Sequence, residues 1–245
     1  MNNNNVISKK AIIGKNVIIS NFCIIHDNVI IEDNVEIGSY SEIGSYYNSK
    51  KTIIGSGTKI GSHAIIYPNV KIGFNCILGH RVLIRENSII GNNTQIGSYS
   101  DLEGDLILDN FVKIHSNVHI GKGSNIKSYT WLFPYVILTN DPIPPSNIIS
   151  GPTIYPFAVI ATRSTILPGV KVGFGSFVGA NSLVNRNVKI EEIVSGCPIK
   201  SRGDIKRIKT PKSRVAAYPW AYNFKSSFYN ENLEKIYETL KLEYI

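Results

Sequence analysis

The chain has only three cysteines in 245 residues, too few and too scattered for a disulfide framework. It has no apolar run of the roughly twenty residues needed to span a bilayer. Its polar opening, MNNNN, lacks the basic and then apolar layout of a secretory leader. These absences predict a cytoplasmic protein with no membrane span. Net charge is +8, yet no sequence module for nucleic-acid recognition accompanies it, so nucleic acid is not the expected partner.

What the chain has in abundance is an aliphatic residue every six positions, a period that fits neither a helix nor a flat strand. One run leads with Ile13, Ile19, Ile25, Ile31, Ile37 and Ile43, a long second runs from Ile54 to Leu138, and a third from Ile154 to Val184. Together they make twenty-seven hexads, with Ile7 offering a further start, and such repetition is the mark of a solenoid. The second place of the hexad is often glycine (Gly14, Gly38, Gly61, Gly73, Gly91, Gly121, Gly179). The fourth is rich in Asn and Gly, which tolerate the left-handed backbone of a sharp corner. The fifth is small or β-branched, and strand alternation turns both it and the next lead inward. Cys23 and Cys76 fall on that inward fifth place, as small apolar fillers, while Cys197 sits in a turn. Each hexad is thus one short strand and one corner, and three close a triangular coil. Nine coils spaced about 4.8 Å apart give a prism on the order of 43 Å long.

Two insertions break the phase: SYYNSKK after Gly44, and the proline-rich LTNDPIPPSNIISGPT from Leu138 to Thr153. Loops thrown from a rigid scaffold are favoured places for binding sites. The expected organisation is one β-helix domain over 7–200 with a protruding loop at 139–153, then a basic tail and a capping helix over 201–245. In that tail Tyr218, Trp220, Tyr222 and Phe224 are expected to pack on the prism. Leu233, Ile236, Tyr237 and Leu240 recur as the stripe of an amphipathic helix, expected to cover the open end of the solenoid. Lys200, Arg202, Lys206, Arg207, Lys209, Lys212 and Arg214 make the stretch past the last hexad basic, a feature that would attract a phosphorylated ligand.

The repeat resembles that of the hexapeptide-repeat acyltransferases. The resemblance implies an all-β solenoid, a left-handed parallel β-helix whose handedness comes from the family, since most parallel crossovers are right-handed. It also implies a homotrimer with sites between neighbouring prisms. Gly196, Pro198 and Lys200 match the family's closing Gly-x-Pro-x-Lys turn, and with VGANSLV (178–184) they resemble the acetyl-CoA-binding end of the sugar acetyltransferases. By that resemblance Ala161, Gly179 and Ala180 line the pantetheine arm and Lys200 approaches the phosphates.

Five histidines carry the candidate chemistry. The hexad phase turns His26, His115 and His119 outward, His119 one coil above Asp101, and puts His63 and His80 in corners. Outward histidines are expected to be buried only under a second subunit. His115 is the expected general base, with Asn117 beside it, Gly97 below and Phe133 above, and with Asp141 orienting an imidazole across a subunit boundary. GHRVLIREN (79–87), IHSNVHIG (114–121) and FPYVILTNDPIPPS (133–146) resemble acetyltransferases of bacterial surface-polysaccharide clusters, above all those acting on nucleotide-linked 3-amino-3,6-dideoxyhexoses. That resemblance offers His80, Arg81, Arg85 and Asn87 to a sugar or its diphosphate. Arg85 has a second reading as an ion pair with Glu86 or Glu103.

The expected function is acetyl-CoA-dependent N-acetylation of a nucleotide-linked amino sugar for surface polysaccharide synthesis, with no metal. Three other readings are an O-acetyltransferase, an acyltransferase fed by acyl carrier protein, and a metalloenzyme like the γ-class carbonic anhydrases using His80, His115 and His119. For the last, His80 and His115 project from different hexad places and converge poorly on a metal.

Overall fold

A computed structural model describes residues 4–44, 50–211, 213–224, 229 and 232–244. Most of the insertion after Gly44, and Lys212 of the basic stretch, lie outside these residues. Twenty-eight short strands, from Val6–Ile7 to Leu183–Val184, each end on a hexad lead. They stack into three parallel sheets, the faces of a triangular prism. The first face begins with Val6–Ile7, the second with Ile12–Ile13 and the third with Ile18–Ile19. The extra strand at Ile7 gives the first face ten strands where nine coils were expected. Both insertions leave the register intact, Ile31 pairing with Ile54 and Leu138 with Ile166.

The leads from Ile25 onward form one continuous apolar core, together with the fifth-place residues. Fully burying each such side chain contributes about 1.5–3 kcal/mol. Cys23 and Cys76 lie in that core, and burial pushes the Cys76 thiol up to about 11, so both act as packing groups. Buried fifth-place hydroxyls are satisfied by corner carbonyls: Ser88 donates to the Arg85 carbonyl at 2.7 Å and Thr58 to that of Gly73 at 2.9 Å.

Fourth-place residues hold the left-handed backbone, as expected, with Asn16, Asn28, Asn34, Asn69, Asn87, Asn117 and Asn181 at φ between 55 and 60°. Bulky residues sit there as well, among them Phe111, Tyr129 and Phe157 at 60, 61 and 60°. That conformation costs about 1–2 kcal/mol per residue. The rings offset it by stacking along the corner, 5.1 Å from Phe111 to Tyr129 and 4.8 Å from Tyr129 to Phe157. The second-place glycines have a plain steric reason: a Cβ on Gly61 would come within 2.6 Å of the Gly79 carbonyl carbon in the next coil.

The tail differs from expectation. A short helix α1 (Trp220–Asn223) and the amphipathic helix α2 (Leu233–Lys241) do not cross the open end. They lie along the corner between the second and third faces, where Tyr129, Phe157, Phe174, Trp220, Tyr229, Leu233 and Tyr237 form a separate aromatic cluster. The aromatic ladder already on that corner is the more apolar surface and draws the helix sideways. The tail aromatics do pack on the prism, as expected. The core end is closed instead by Val188, Val194 and Ile199, around an antiparallel hairpin of Glu192–Ser195 and Lys200–Asp204 that continues the third face.

Candidate functional site

Because paired leads align coil by coil, the residues just after them form columns. On the third face that column reads Gly38, Gly61, Gly79, Gly97, His115, Phe133, Ala161 and Gly179. Ser195 continues it and pairs with Lys200 in the terminal hairpin. His115 therefore stands where a run of glycines ends and larger side chains begin. From its coil to that of Ser195 is four steps, a track of about 19 Å at the usual strand spacing.

His115 is half-buried and stacks on Phe133 with ring centroids 4.7 Å apart. Its Nε2 is buried and has no hydrogen-bond partner among the described residues. Below it, a Cβ on Gly97 would lie 2.5 Å from the His115 carbonyl carbon, so glycine is required for the coil beneath to pack. Burial first, and then the positive Lys113, push the His115 pKa below the ordinary imidazole value. Lys113 lies 4.6 Å from the centre of the Trp131 ring, one coil above. The imidazole is thereby kept neutral near pH 7, with a free lone pair.

His80, Arg81 and Asn117 occupy the same edge as His115, where the third face turns into the first. His80 accepts the Ser62 backbone N–H on Nδ1 at 3.0 Å. Arg81 lies 6.0 Å from the Tyr99 ring centre. Asn117 is a left-handed corner residue whose N–H donates to the Ser98 carbonyl at 3.0 Å. Ala161 and Gly179 lie on the His115 column, with exposed Ala180 beside Gly179 and exposed Lys200 at its far end.

The other candidates stand apart from that edge. Arg85, on the first face, is gripped by Glu86 through two contacts of 3.2 and 3.0 Å, as its alternative reading held. Asn87 belongs to a corner ladder, accepting from Asn69 and donating to Asp105, each at 2.7 Å. Within one chain Asp141 does not meet His115. It organises its own loop, accepting from the Ile143 N–H at 2.9 Å and the Ser146 N–H at 2.8 Å. Those hydrogen bonds, that of the Ser146 hydroxyl foremost, hold its pKa below the usual carboxylate value.

The remaining histidines correct one expectation. His26 is only 3% exposed with no second subunit present, its Nε2 2.7 Å from Glu42. An outward residue can thus be buried within one chain. His119 sits above Asp101 as expected, Nδ1 to Oδ2 3.1 Å. His80, His115 and His119 project from three different columns, and among the described residues no group of three or more His, Cys, Asp or Glu is placed to hold a metal.

Sequence reasoning placed Phe133 above His115, as observed, but missed Trp131 and the space beside it. Trp131 and Phe133, two residues apart, meet Val159, Tyr218, Trp220 and Phe224 around a cavity of about 130 Å³. Its only sequence signal was the pairing of aromatics at alternate positions. Nothing local announced that the tail would roof it.

The family described as bacterial transferase hexapeptide (six repeats) matches at residues 10–45, 51–86 and 69–104. Those matches end at residue 104, and beyond them the strands keep the six-residue period as far as Val184, the 139–153 loop aside. The chain resembles that family. The chain is 30% identical over 165 residues to the bifunctional protein GlmU of Acinetobacter baylyi, covering 55% of this chain and 36% of that one. It is 31% identical over 104 residues to a chloramphenicol acetyltransferase of Escherichia coli, covering 39% and 50%. It therefore spans between a third and a half of the length of these curated relatives. A solved Arabidopsis UDP-N-acetylglucosamine acyltransferase is 17% identical, with 97% of this chain and 89% of that one covered and a TM-score of 0.49. Among the described residues no helix is long and apolar enough to cross a membrane.

Proposed function

We propose that this protein is an acyl-CoA-dependent N-acyltransferase acting on a nucleotide-linked amino sugar, such as a dTDP-3-amino-3,6-dideoxyhexose. The observation that carries the reading is the third-face column, where a neutral imidazole whose Nε2 has no hydrogen-bond partner among the described residues stands beneath Phe133, with the small Ala161 and Gly179 continuing the column above it. The track suits an extended pantetheine arm over Ala161 and Gly179, with Lys200 and the basic stretch beyond it meeting the phosphates. The acceptor would enter from the glycine side, beside His80 and Arg81. The names of the relatives, an acetyltransferase among them, support the same class.

In this reading the amine nitrogen attacks the thioester carbonyl carbon. The new C–N bond forms, the C–S bond breaks, and His115 accepts the proton that the amine loses and passes it to the departing thiolate. A base near its working pH typically contributes 10²–10⁴-fold. Completing the site in a homotrimer, with the Asp141 loop of a neighbour beside the His115 edge, belongs to the same proposal.

The test is free-thiol release from acetyl-CoA and longer acyl-CoAs with dTDP- and UDP-linked 3-amino and 4-amino sugars set beside matched hydroxyl sugars. Release with an amino sugar alone is expected. Release only with hydroxyl acceptors would reassign the protein to O-acylation, and silence throughout would remove CoA as donor.

A further inference from the structure

The cavity beside His115 has no assigned role in the chemistry above. Six residues line it, Trp131, Phe133, Val159, Tyr218, Trp220 and Phe224, and none is charged. Trp131 and Phe133 are also the rings nearest His115, with centroids 6.3 and 4.7 Å from the imidazole. Val159 lies two residues before Ala161 on the next strand up, and both Val159 and Trp220 are buried. The cavity therefore straddles the coil of Phe133 and the coil of Ala161, between the imidazole and the foot of the small-residue track.

Resting on the acyltransferase reading, the position fixes what can reach it. With the donor's arm along Ala161 and Gly179 and its thioester carbon beside His115, the alkyl end of the acyl group must leave the column sideways. The third face at Trp131 and Val159 is the adjoining surface. A sugar or a diphosphate would leave its polar groups unpaired in so apolar a space. The size is also selective: about 130 Å³ is close to the roughly 150 Å³ apolar cavity that holds a benzene molecule. An acetyl methyl would leave most of it empty.

We infer that this cavity is an acyl-chain pocket, sized for a donor of about four carbons, and that the C-terminal tail sets the chain length through Tyr218, Trp220 and Phe224. The donor class is thus a short-chain acyl-CoA longer than acetyl-CoA. Phe224 is the adjustable wall, since it is 37% exposed and meets Trp131 edge-on at 5.1 Å.

The chain's two tryptophans are both in this pocket, so intrinsic fluorescence reads it directly. The experiment titrates the full-length protein, without acceptor, with CoA, acetyl-CoA, butyryl-CoA and octanoyl-CoA. Each buried methylene should tighten binding about four-fold, giving roughly fifteen-fold between acetyl and butyryl and no further gain at octanoyl. Butyryl-CoA should also change the emission more than CoA does. Phe224→Ala should move the preference toward the longer chain, and Val159→Leu, which narrows the pocket from the prism side, should move it back toward acetyl. Equal affinity and equal emission for all four ligands, with CoA itself bound, would overturn the pocket and leave the acyltransferase reading standing. Failure of every CoA compound to bind would overturn that reading, and the pocket with it.

Discussion

A histidine on a strand one coil away from a glycine has little to distinguish it in sequence, and what makes His115 unusual is its surroundings. Phe133 covers it, Gly97 supports it, and Lys113 repels its proton. The hexad phase located Phe133 and Gly97, because both lie eighteen residues from His115 without interruption. It said nothing of the lowered pKa, which depends on how far the imidazole is desolvated. His115→Asn should lower turnover by about 10²-fold or more with CoA affinity unchanged, measured by thiol release and by titration. The pH dependence has a definite sign. An imidazolium cannot accept a proton, so kcat/KM should fall as pH drops through the lowered His115 pKa, placing the acidic limb below the ordinary value of about 6.5. Lys113→Gln removes a positive neighbour and should move that limb upward; a limb that stays in place would show that burial alone sets it.

At the scale of elements, the strands were legible almost to the residue because lead, second, fourth and fifth places each obey a separate physical rule. The segment past Val184 was not, because there the hexads stop. Its hairpin is set by pairing with strands already stacked. Helix α2 was legible as a helix but not in its docking. Asn232 caps it by accepting the Lys235 N–H at 3.1 Å, and Tyr237 donates to Glu191 at 2.7 Å while its ring meets Phe157 and Phe174. Tyr237→Ala should cost about 3–5 kcal/mol of tail docking, the scale for deleting a buried aromatic ring. Because the tail roofs the cavity around Trp131 and Trp220, the loss should appear as a red shift of tryptophan emission before the β-sheet signal melts.

For the whole molecule, stability is carried by coil-on-coil contacts, and each coil depends on its neighbours. Ile114→Asp would bury a charge in the apolar interior, between Lys113 and His115 in the chain. Loss of the folded state is expected, read as loss of the β-sheet signal by circular dichroism; a soluble, cooperatively melting variant would contradict the inward assignment. The same coil-by-coil arithmetic explains why some candidate residues came together and others did not. His80, Arg81, His115, Asn117, Ala161 and Gly179 share one edge because they sit near multiples of eighteen along uninterrupted or register-preserving stretches. Arg85, Asn87 and Asp141 fall to another face or corner of the same chain.

The sequence by itself determined the solenoid, its inward residues, its left-handed corners and the outward column that carries His115. Each of these follows from local sterics and from burial repeated at a fixed period. Only the tertiary structure decided which surface the C-terminal tail would cover, how dry the imidazole would be, and that the two tryptophans, far apart in the chain, would enclose one cavity beside it. Those outcomes depend on non-periodic segments finding the most apolar corner of a finished prism, and no period within the segments encodes that choice.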